Sequence, residues 1–274
     1  MSVLDFTLGA DPEFTCVRRG SIVSANNFCR DDGKLGCDGN GVTFEIRPSP
    51  FKEPLDLTNE IREILKEHCF TFPEFRTFDW HAGGEYGGYA MGGHVHLGIK
   101  EANNNWLVSM LDNYFGAIMV LAEDRKQGLA RRRIGYGTVS EFRTQSHGIE
   151  YRAISSWLTS PYIAVATLSL AKTVAFEAMT NKTFEFTNYL LKSDFSTMNT
   201  DKLYSKFPEI WASITKMAQY QKYKPFIDIL YFIIKNKLTW FPNCSMKHAW
   251  GIYDGKDFSN CIPMDVIWSR FLNK

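Results

Sequence analysis

Hydrophobic and polar residues alternate in four short segments of this chain, and each alternation predicts a β-strand. Because a strand points successive side chains to opposite faces, the polar residues of such a segment share one face. One polar pair could be only an exposed ion pair, worth at most about 1 kcal/mol. Four pairs together predict a sheet with one apolar face and one charged face. The pairs are Asp11 with Glu13, Glu45 with Arg47, His94 with His96, and Glu150 with Arg152.

Turn residues and helical spacing predict the elements between these strands. We expect the strand over residues 3–14 to end in a turn at Asp11-Pro12, and GCDGNG (36–41) to be a tight turn that delivers Asp38 to a strand over 42–47. Apolar residues at helical spacing predict a helix that carries Leu57 and Leu65, and a longer one capped by the asparagines at 103–105. Further helices are predicted over residues 161–180, with Ser160 as the cap, over 199–220 with an interruption at Pro208, and over 225–238.

These elements divide the chain into two parts of different character. Residues 1–160 carry the charged sheet, and residues 161–274 are mostly helical, aromatic and apolar. We therefore predict an α+β fold with a catalytic sheet core over 1–160 and a helical part over 161–274 packed on the same domain. A chain of 274 residues is long enough to bury a sizeable core.

Composition narrows the class of protein. Apolar residues make up 45% of the chain, which indicates a globular protein. Because 31 Lys and Arg residues nearly balance 30 Asp and Glu residues, the chain carries no nucleic-acid-binding signal and no general attraction to acidic membranes. Residues 162–179 contain Lys172 and Glu177, and we expect them to be too polar to span a bilayer. The six cysteines show no CxxC spacing and the N-terminus resembles no signal peptide, which favours free thiols in a cytoplasm.

Carboxylates and one histidine form the first group of candidate site residues. Divalent cations such as Mg²⁺ prefer carboxylate oxygen, and a nucleoside triphosphate needs such cations, so the group predicts a Mg²⁺ or Mn²⁺ site. Two other interpretations stay open: His94 and His96 would also suit zinc, and the acids could be surface ion pairs and caps. The predicted metal ligands are Asp11, Glu13, Asp38, Glu45, His94 and Glu150.

Arginines form the second group. We expect Arg47, Arg143 and Arg152 to face phosphoryl or carboxylate oxygens, which a guanidinium binds through two parallel hydrogen bonds. Of the run 131–133 we expect Arg133 to act in the site, because it is nearest the Tyr136-Gly137 turn; a solvated helix end is the alternative for this run.

The sequence contains no GxxxxGK[ST] motif and no GxGxxG before a helix. The glycine-rich residues 83–93 are expected to be a flexible loop beside the site.

Five motifs resemble those of phage-type carboxylate–amine ligases, which belong to the glutamine synthetase and glutamate–cysteine ligase superfamily. They occur in order and with consistent spacing over roughly residues 5–160, and the helical part matches no motif. The resemblance implies an antiparallel sheet that forms a funnel flanked by helices, with ATP and two or three Mg²⁺ ions over its polar face. The motifs are GADPEF (9–14), CDGNGVTFEIRP (37–48), GGHVHLG (92–98), RRRIGYG (131–137) and GIEYR (148–152).

The same resemblance implies a role for each candidate residue. Asp11 and Glu13 match the acidic pair of the first strand, and Asp38 and Glu45 match a pair that shares one metal. His94 would bind, with Asp11 and Glu150, the metal that bridges the phosphates. Arg152 matches the arginine that stabilises the transferring phosphoryl group, and His96 would lie near the nucleotide. The residues expected on the substrate and phosphate side are Arg133, Tyr136 and Arg143.

The implied reaction is ATP-dependent amide formation. ATP would phosphorylate a carboxylate to an acyl phosphate, and an amine would attack it to give an amide, ADP and phosphate. The expected partners are a small-molecule or peptide carboxylate and an amine, in the cytoplasm of the host cell if the protein is phage-encoded. Three alternatives remain: a guanidino-kinase-like phosphotransferase, which needs no amine as second substrate; a metal-dependent hydrolase built on His94 and His96, which needs no ATP; and a binding protein without turnover.

Overall fold

The protein consists of an antiparallel sheet with helices over its apolar face. The computed structural model describes residues 5–29, 33–100, 104–184, 193–194, 197–241 and 245–252. The strands of this sheet are β1 (Leu8–Arg18), β2 (Ser21–Val23), β3 (Leu35–Cys37), β4 (Phe44–Ile46), β5 (Asp79–His81), β8 (Gly93–Leu97), β9 (Phe142–Gln145) and β10 (Gly148–Tyr151). Two more strands, β6 (Glu85–Tyr86) and β7 (Tyr89–Ala90), form a separate hairpin. The spatial order is β3-β4-β1-β8-β10-β9, and β2 and β5 also pair with β1. The predicted α+β class with an antiparallel sheet is confirmed.

One face of the sheet is polar and the other is apolar, as the alternation predicts. On β1, Leu8 and Phe14 are fully buried in the core, and Asp11 and Glu13 occupy the opposite face. The strand register then aligns polar residues of neighbouring strands. Asp11 lies opposite His94, Glu13 opposite Glu45, and Glu150 opposite His96. The four predicted segments therefore build one charged surface.

The predicted end of the first strand at Asp11-Pro12 is wrong. β1 runs through both residues and continues to Arg18. It pairs with β8 up to Pro12 and with β4 only from Glu13 onwards. The missing N–H of Pro12 is tolerated because β4 does not yet pair with the strand at that point.

Helices cover the apolar face. α1 (Pro54–Thr71) buries Leu57, Ile61 and Leu65 against the sheet core, and α5 (Pro161–Thr180) begins where the Ser160 hydroxyl accepts a hydrogen bond from the Ile163 N–H. Between them lie α2 (Asn104–Met110), a π-helical segment (Leu111–Gly116), α3 (Ala117–Ala122) and α4 (Arg125–Arg133). After α5 come α6 (Thr200–Ile214), α7 (Tyr220–Lys235) and α8 (Met246–Ala249).

Three helix predictions need correction in detail. The long helix after the asparagines forms, but its middle is a π-helical segment; the predicted cap at Asn103 lies outside the described residues. Pro208 does not interrupt α6, which continues past it and ends at Ile214. The next helix begins at Tyr220, five residues before Pro225.

The expectation that residues 162–179 are too polar to span a bilayer is wrong for α5, the helix that contains them. By length and composition it could cross a bilayer, and 83% of its most apolar window is buried inside the protein. Lys172 and Glu177 are themselves buried there: Lys172 donates to the Lys52 carbonyl, and Glu177 accepts from the Ala218 N–H. This environment is typical of the core helix of a globular protein.

Two smaller predictions concern the cysteines and the glycine-rich segment. Cys16, Cys29, Cys37 and Cys69 form no disulfide bond among the described residues, and Cys244 and Cys261 lie outside them. The glycine-rich segment contains the β6–β7 hairpin, so it is more regular than the expected loop.

His68, on α1, is a buried histidine in an aromatic environment. Its ring centroid lies 4.6 Å from that of Phe75, 4.8 Å from that of Phe72 and 6.5 Å from that of Phe44. Its Nε2 has no hydrogen-bond partner among the described residues. Burial lowers the pKa of His68 to about 4, because the charged imidazolium loses its hydration there.

We expect this histidine to destabilise the fold in acid. In the unfolded chain His68 binds a proton near pH 6.5, and in the folded chain only near pH 4. The contribution of neutral His68 to the free energy of unfolding is therefore complete above pH 6.5 and is lost as the pH falls towards 4. The loss should reach about 3 kcal/mol of unfolding free energy. Urea denaturation at pH 7 and pH 4 measures it, with His68→Phe as the comparison. The Phe variant should lose less stability in acid than the parent; equal losses would contradict the prediction.

Candidate active site

The polar face of the sheet forms the floor of a cavity of about 630 Å³, which we call the basin. The turn after β3, the β6–β7 hairpin, and α4 with the loop that follows it supply the walls. A cavity of this size is typical of small-molecule sites. All predicted site residues except Arg47 and Arg133 line the basin: Asp11, Glu13, Asp38, Glu45, His94, His96, Tyr136, Arg143, Glu150 and Arg152.

The first cluster consists of Asp11, His94 and Glu150. One ligand atom from each lies within 4.8 Å of the others. His94 Nδ1 is 3.3 Å from Asp11 Oδ1 and 3.6 Å from Glu150 Oε1. Among the described residues, neither Asp11 Oδ1 nor His94 Nδ1 has a hydrogen-bond partner of good geometry, although both atoms are buried. Buried polar atoms are rarely left unpaired, so these two atoms are suited to a common ligand.

The charges in the first cluster keep the Asp11 carboxylate ionised. Burial acts to raise the pKa of Asp11, but the adjacent His94 and His96 outweigh it and hold the pKa below its usual range. For His94, burial acts to lower the pKa, and the contact with Asp11 outweighs it, so the pKa is raised. A metal cation bound beside His94 would supply the positive charge that the imidazole proton supplies here, and would stabilise the ionised Asp11 carboxylate in the same way.

The second cluster consists of Glu13, Asp38 and Glu45, and again the ligand atoms lie within 4.8 Å of one another. Glu13 is buried and its Oε2 accepts a hydrogen bond from the Gly92 N–H at 2.7 Å. Burial raises the pKa of Glu13 to about 7, with a further contribution from the charge of Asp38, and burial also raises the pKa of Glu45. Three carboxylates this close repel one another unless a proton or a cation lies between them.

The donor sets of both clusters fit a hard divalent cation. They are carboxylate oxygens with a single imidazole nitrogen, a set that Mg²⁺ and Mn²⁺ accept and that structural zinc sites rarely use. Among the described residues, the cluster that contains His94 does not include His96. Both histidines nevertheless lie close to Asp11 Oδ1, at 3.3 Å for His94 Nδ1 and 3.1 Å for His96 Nε2.

Arg152 lines the basin and lies between two carboxylates. Its Nη1 donates to Glu150 Oε1 at 2.8 Å, and its Nε is 3.9 Å from Glu141 Oε1. Arg143 lies opposite Glu150 on β9 and is exposed at the basin wall. Arg47, by contrast, is not among the residues that line the basin: it pairs with Glu45 at 2.6 Å and lines a neighbouring cavity.

The three consecutive arginines of α4 have different positions, and the structure places Arg131, not Arg133, among the residues that line the basin. Successive helical residues are about 100° apart, so only one of them can face the sheet. That residue is Arg131, which is 1% exposed, lines the basin and donates to the carbonyl oxygens of Arg152 and Ala153. Arg132 forms a buried ion pair with Glu123 at 2.8 Å, and Arg133 is exposed outside the basin.

The loop after α4 forms the rim of the basin and carries Tyr136, which is exposed. The Glu141 carboxylate accepts hydrogen bonds from the Gly137 and Thr138 N–H groups at 2.8 and 3.0 Å. Gly137 has φ 74°, and a Cβ there would lie 2.1 Å from Arg131 Nη1. Glycine is therefore needed at this position for the rim to approach the buried arginine.

Several polar residues near the site were absent from the sequence prediction. Gln145 donates from Nε2 to Glu150 Oε2 at 2.8 Å, so both oxygens of that carboxylate are engaged. His147 Nε2 lies 3.1 Å from His96 Nδ1. The signal available for both was their position in TQSH, directly before the GIEYR motif. Asp112, on the π-helical segment, binds the end of the rim at Ser140 and had no sequence signal.

Comparison with known proteins gives one family match. The family model described as phage phiEco32-like COOH.NH2 ligase-type 2 matches residues 8–252, which is most of the chain and includes every residue that lines the basin. No curated protein matches the chain.

Proposed function

This chain belongs to the phage phiEco32-like COOH.NH2 ligase-type 2 family, and from that premise we propose that it joins a carboxylate to an amine in an ATP-dependent reaction. The observation that carries the proposal is the composition of the basin. Two clusters of metal-ligand type lie on one sheet face with Arg131, Arg143 and Arg152 around them. Phosphoryl transfer needs this combination, because the negative charge of the phosphates must be neutralised on several sides.

Mg²⁺, or Mn²⁺ in its place, fits the donor atoms of both clusters. The first cluster would hold one ion through Asp11, His94 and Glu150, and the second would hold another through Glu13, Asp38 and Glu45. Bound there, the ions would neutralise phosphate oxygens and orient the triphosphate. The resemblance to glutamine synthetase-like enzymes, with a funnel-shaped site over the sheet, belongs to the same proposal.

The arginines would act on the phosphoryl group in transfer. Arg152 is held by Glu150, so its guanidinium is oriented before substrate binds. Arg131 is held by two carbonyl oxygens at the base of the rim. Preorganised charges of this kind stabilise a transition state without having to reorient during the reaction. His96 and Tyr136 line the same basin and would contact the nucleotide.

The reaction would have two covalent steps. An oxygen of the substrate carboxylate attacks the γ-phosphorus of ATP, and the bond to ADP breaks, which gives an acyl phosphate. The amine nitrogen then attacks the acyl carbon, phosphate leaves, and the nitrogen loses a proton. The basin's role is to hold the reacting groups in line and to keep competing water away from the acyl phosphate. The substrates would be a small-molecule or peptide carboxylate and an amine, met in the cytoplasm of the host cell.

Trapping with hydroxylamine tests this function before the natural amine is known. Hydroxylamine is small and largely unprotonated at neutral pH, so it can attack an acyl phosphate in place of the amine. With ATP, Mg²⁺ and a panel of amino-acid, peptide and polycarboxylate substrates, we expect a hydroxamate to form and one ADP to be released for each. Colorimetric hydroxamate detection and an ADP assay measure the two products.

The controls for this test omit one component at a time. Without ATP, or with a chelator present, hydroxamate formation should stop. Formation that continues unchanged without ATP would exclude the proposed reaction. A stable phosphorylated product that consumes ATP with no hydroxamate would indicate the phosphotransferase instead.

A further inference from the structure

β9 is an edge strand of the sheet, and it borders the basin. It is last in the spatial order, and among the described residues it pairs only with β10. Its Arg143 and Gln145 line the basin, while Phe142 packs against the core on the other face. An edge strand presents unpaired N–H and C=O groups, with which another chain can pair. Such pairing sites therefore lie directly beside the basin.

The hydrogen bonds of β9 to β10 show which backbone groups face outward. In an antiparallel pair, residues that exchange two hydrogen bonds alternate with residues that exchange none. The Arg152 N–H donates to the Glu141 carbonyl at 2.9 Å, so Arg143, two residues later, also directs its backbone groups to β10. Phe142 and Thr144 come between, and their N–H and C=O groups point away from β10. Within the described part of the chain, these groups have no other partner.

Arg143 lies between the two outward-facing residues, with its side chain at the basin wall. It is exposed and forms no ion pair with any residue that the structure describes. Arg131 and Arg152, by contrast, already donate to protein oxygens. The guanidinium of Arg143 is therefore available to a group that arrives with a bound chain, and a carboxylate matches it best.

A chain added to β9 in the antiparallel sense would place every second side chain over the basin face. Residues directly opposite each other point to the same face, so the residue opposite Arg143 shares the basin wall with it. This pair would exchange no backbone hydrogen bonds, and in such pairs the two Cα atoms approach to about 4.5 Å. An aspartate or glutamate at that position would therefore bring its carboxylate to the Arg143 guanidinium.

A second copy of this chain fits the edge less well than an acidic peptide. β9 has the sequence FRTQ and carries no acidic residue. A second copy paired through the same strand would therefore place arginine or glutamine, and no carboxylate, opposite Arg143. Like charges opposite each other in a sheet are destabilising.

We propose, on the basis of the ligase function above, that the carboxylate substrate is an aspartate or glutamate side chain of an extended peptide, which binds antiparallel to β9 as an added strand. Phe142 and Thr144 would each exchange two hydrogen bonds with the peptide, one residue on either side of the acidic one. In this mode the main chain supplies affinity and the alternate side chain supplies specificity. The covalent steps are those given above, with this side chain as the carboxylate.

The test uses pentapeptides that are acetylated at the N-terminus and amidated at the C-terminus, so the only carboxylate belongs to a central glutamate or aspartate. Alanine, valine, threonine or lysine fills the flanking positions. Hydroxamate formation with ATP, Mg²⁺ and hydroxylamine is measured for each peptide and for the single blocked residue, N-acetylglutamate α-amide or N-acetylaspartate α-amide. We expect kcat/KM of the best peptide to exceed that of its single residue by about 10-fold or more, because only the peptide can pair with β9.

N-methylation of the best peptide, one residue at a time, identifies the pairing. In the proposed register the two residues that flank the acidic one donate their N–H groups to β9, and the N–H of the acidic residue points to solvent. A methyl group on either flanking nitrogen removes a hydrogen bond and obstructs the approach, so kcat/KM should fall by about 10-fold. A methyl group on the nitrogen of the acidic residue should lower it by less than about 3-fold.

Thr144→Pro removes one donor from the protein side of the same pairing. Proline is tolerated on an edge strand where its nitrogen faces outward, so the pairing with β10 should persist. We expect kcat/KM to fall by about 10-fold with the unmodified peptide, and by less than about 3-fold with the peptide already methylated at the residue before the acidic one, which lies opposite Thr144. Ser146→Ala, an exposed position in the turn after β9, is the control and should match the parent.

Three results would overturn the inference and leave the ligase function intact. The first is hydroxamate formation from other carboxylates, with no blocked peptide faster than its single residue. The second is an equal effect of the methyl group at all three positions, or the largest effect at the acidic residue. The third is a parent that sediments as a dimer and a Thr144→Pro protein that sediments as a monomer at unchanged peptide kcat/KM, which would assign the edge to a second copy. A parent that forms no hydroxamate with any carboxylate would refute the ligase function itself, and the inference with it.

Discussion

Replacing Arg152 with lysine is expected to lower the rate of product formation by about 10²- to 10³-fold and to leave the melting temperature almost unchanged. The guanidinium is fixed by Glu150 at 2.8 Å and is approached by Glu141 at 3.9 Å. Lysine keeps the positive charge and most of the length, so the ion pair with Glu150 can persist. It loses the planar fork, which can bind a phosphoryl group and a carboxylate at the same time. Hydroxamate formation and a thermal melt, recorded on the same protein, separate the two effects.

Arg133→Lys is the matched control, because it makes the same substitution 19 positions earlier on an exposed side chain outside the basin. Its rate and melting temperature should both stay close to those of the parent. A large loss of rate in Arg133→Lys would restore the role that the sequence suggested for it. A large fall in the melting temperature of Arg152→Lys would mean that its pair with Glu150 supports the fold and not catalysis.

The charged face of the sheet could be predicted from the sequence because strand geometry is local. Successive side chains alternate whatever the neighbouring strands are, so Glu150 and Arg152 had to share a face with each other. Their partners on other strands depend on register, which an apolar face fixes strongly. The grouping of Asp11 with His94 and Glu150, and of Asp38 with Glu45, came from the resemblance to known ligases, and the structure brings these residues together. The resemblance paired Glu13 with Asp11, and the structure places it with Asp38 and Glu45.

The choice among three arginines could not be made from the sequence. Residues 131–133 cover most of a helical turn, so they point in three directions, and the packing of α4 decides which one faces the basin. The sequence argument used distance along the chain to the Tyr136 turn. Burial of Arg131 depends instead on carbonyl groups of Arg152 and Ala153, about twenty residues later.

The π-helical segment lacked a local signal in the sequence. The π-helical segment keeps the apolar spacing of a continuous helix, so the pattern does not reveal it. Such segments occur often at functional sites, and this one places Asp112 under the rim of the basin.

Asp112 connects three parts of the structure, and its loss is expected to destabilise the fold. Its Oδ1 accepts from the Tyr151 hydroxyl at 2.8 Å and from the Ser140 N–H at 3.2 Å, and its Oδ2 accepts from the Ser140 hydroxyl at 2.7 Å. Ser140 has φ 62°, an uncommon conformation for a residue with a side chain. One buried carboxylate therefore holds the end of the rim and the strand that carries Glu150.

We expect Asp112→Ala to lower the free energy of unfolding by about 3 kcal/mol, because the fully buried Tyr151 hydroxyl is left without an acceptor and the Ser140 turn loses both of its contacts. Urea denaturation measures the change. Replacing Asp112 and Tyr151 together, with alanine and phenylalanine, removes donor and acceptor at once and should cost less than Asp112→Ala alone. If the double variant is instead the less stable of the two, Tyr151 finds another acceptor when Asp112 is absent. The cost would then come from the Ser140 turn, and Ser140→Ala should reproduce most of it.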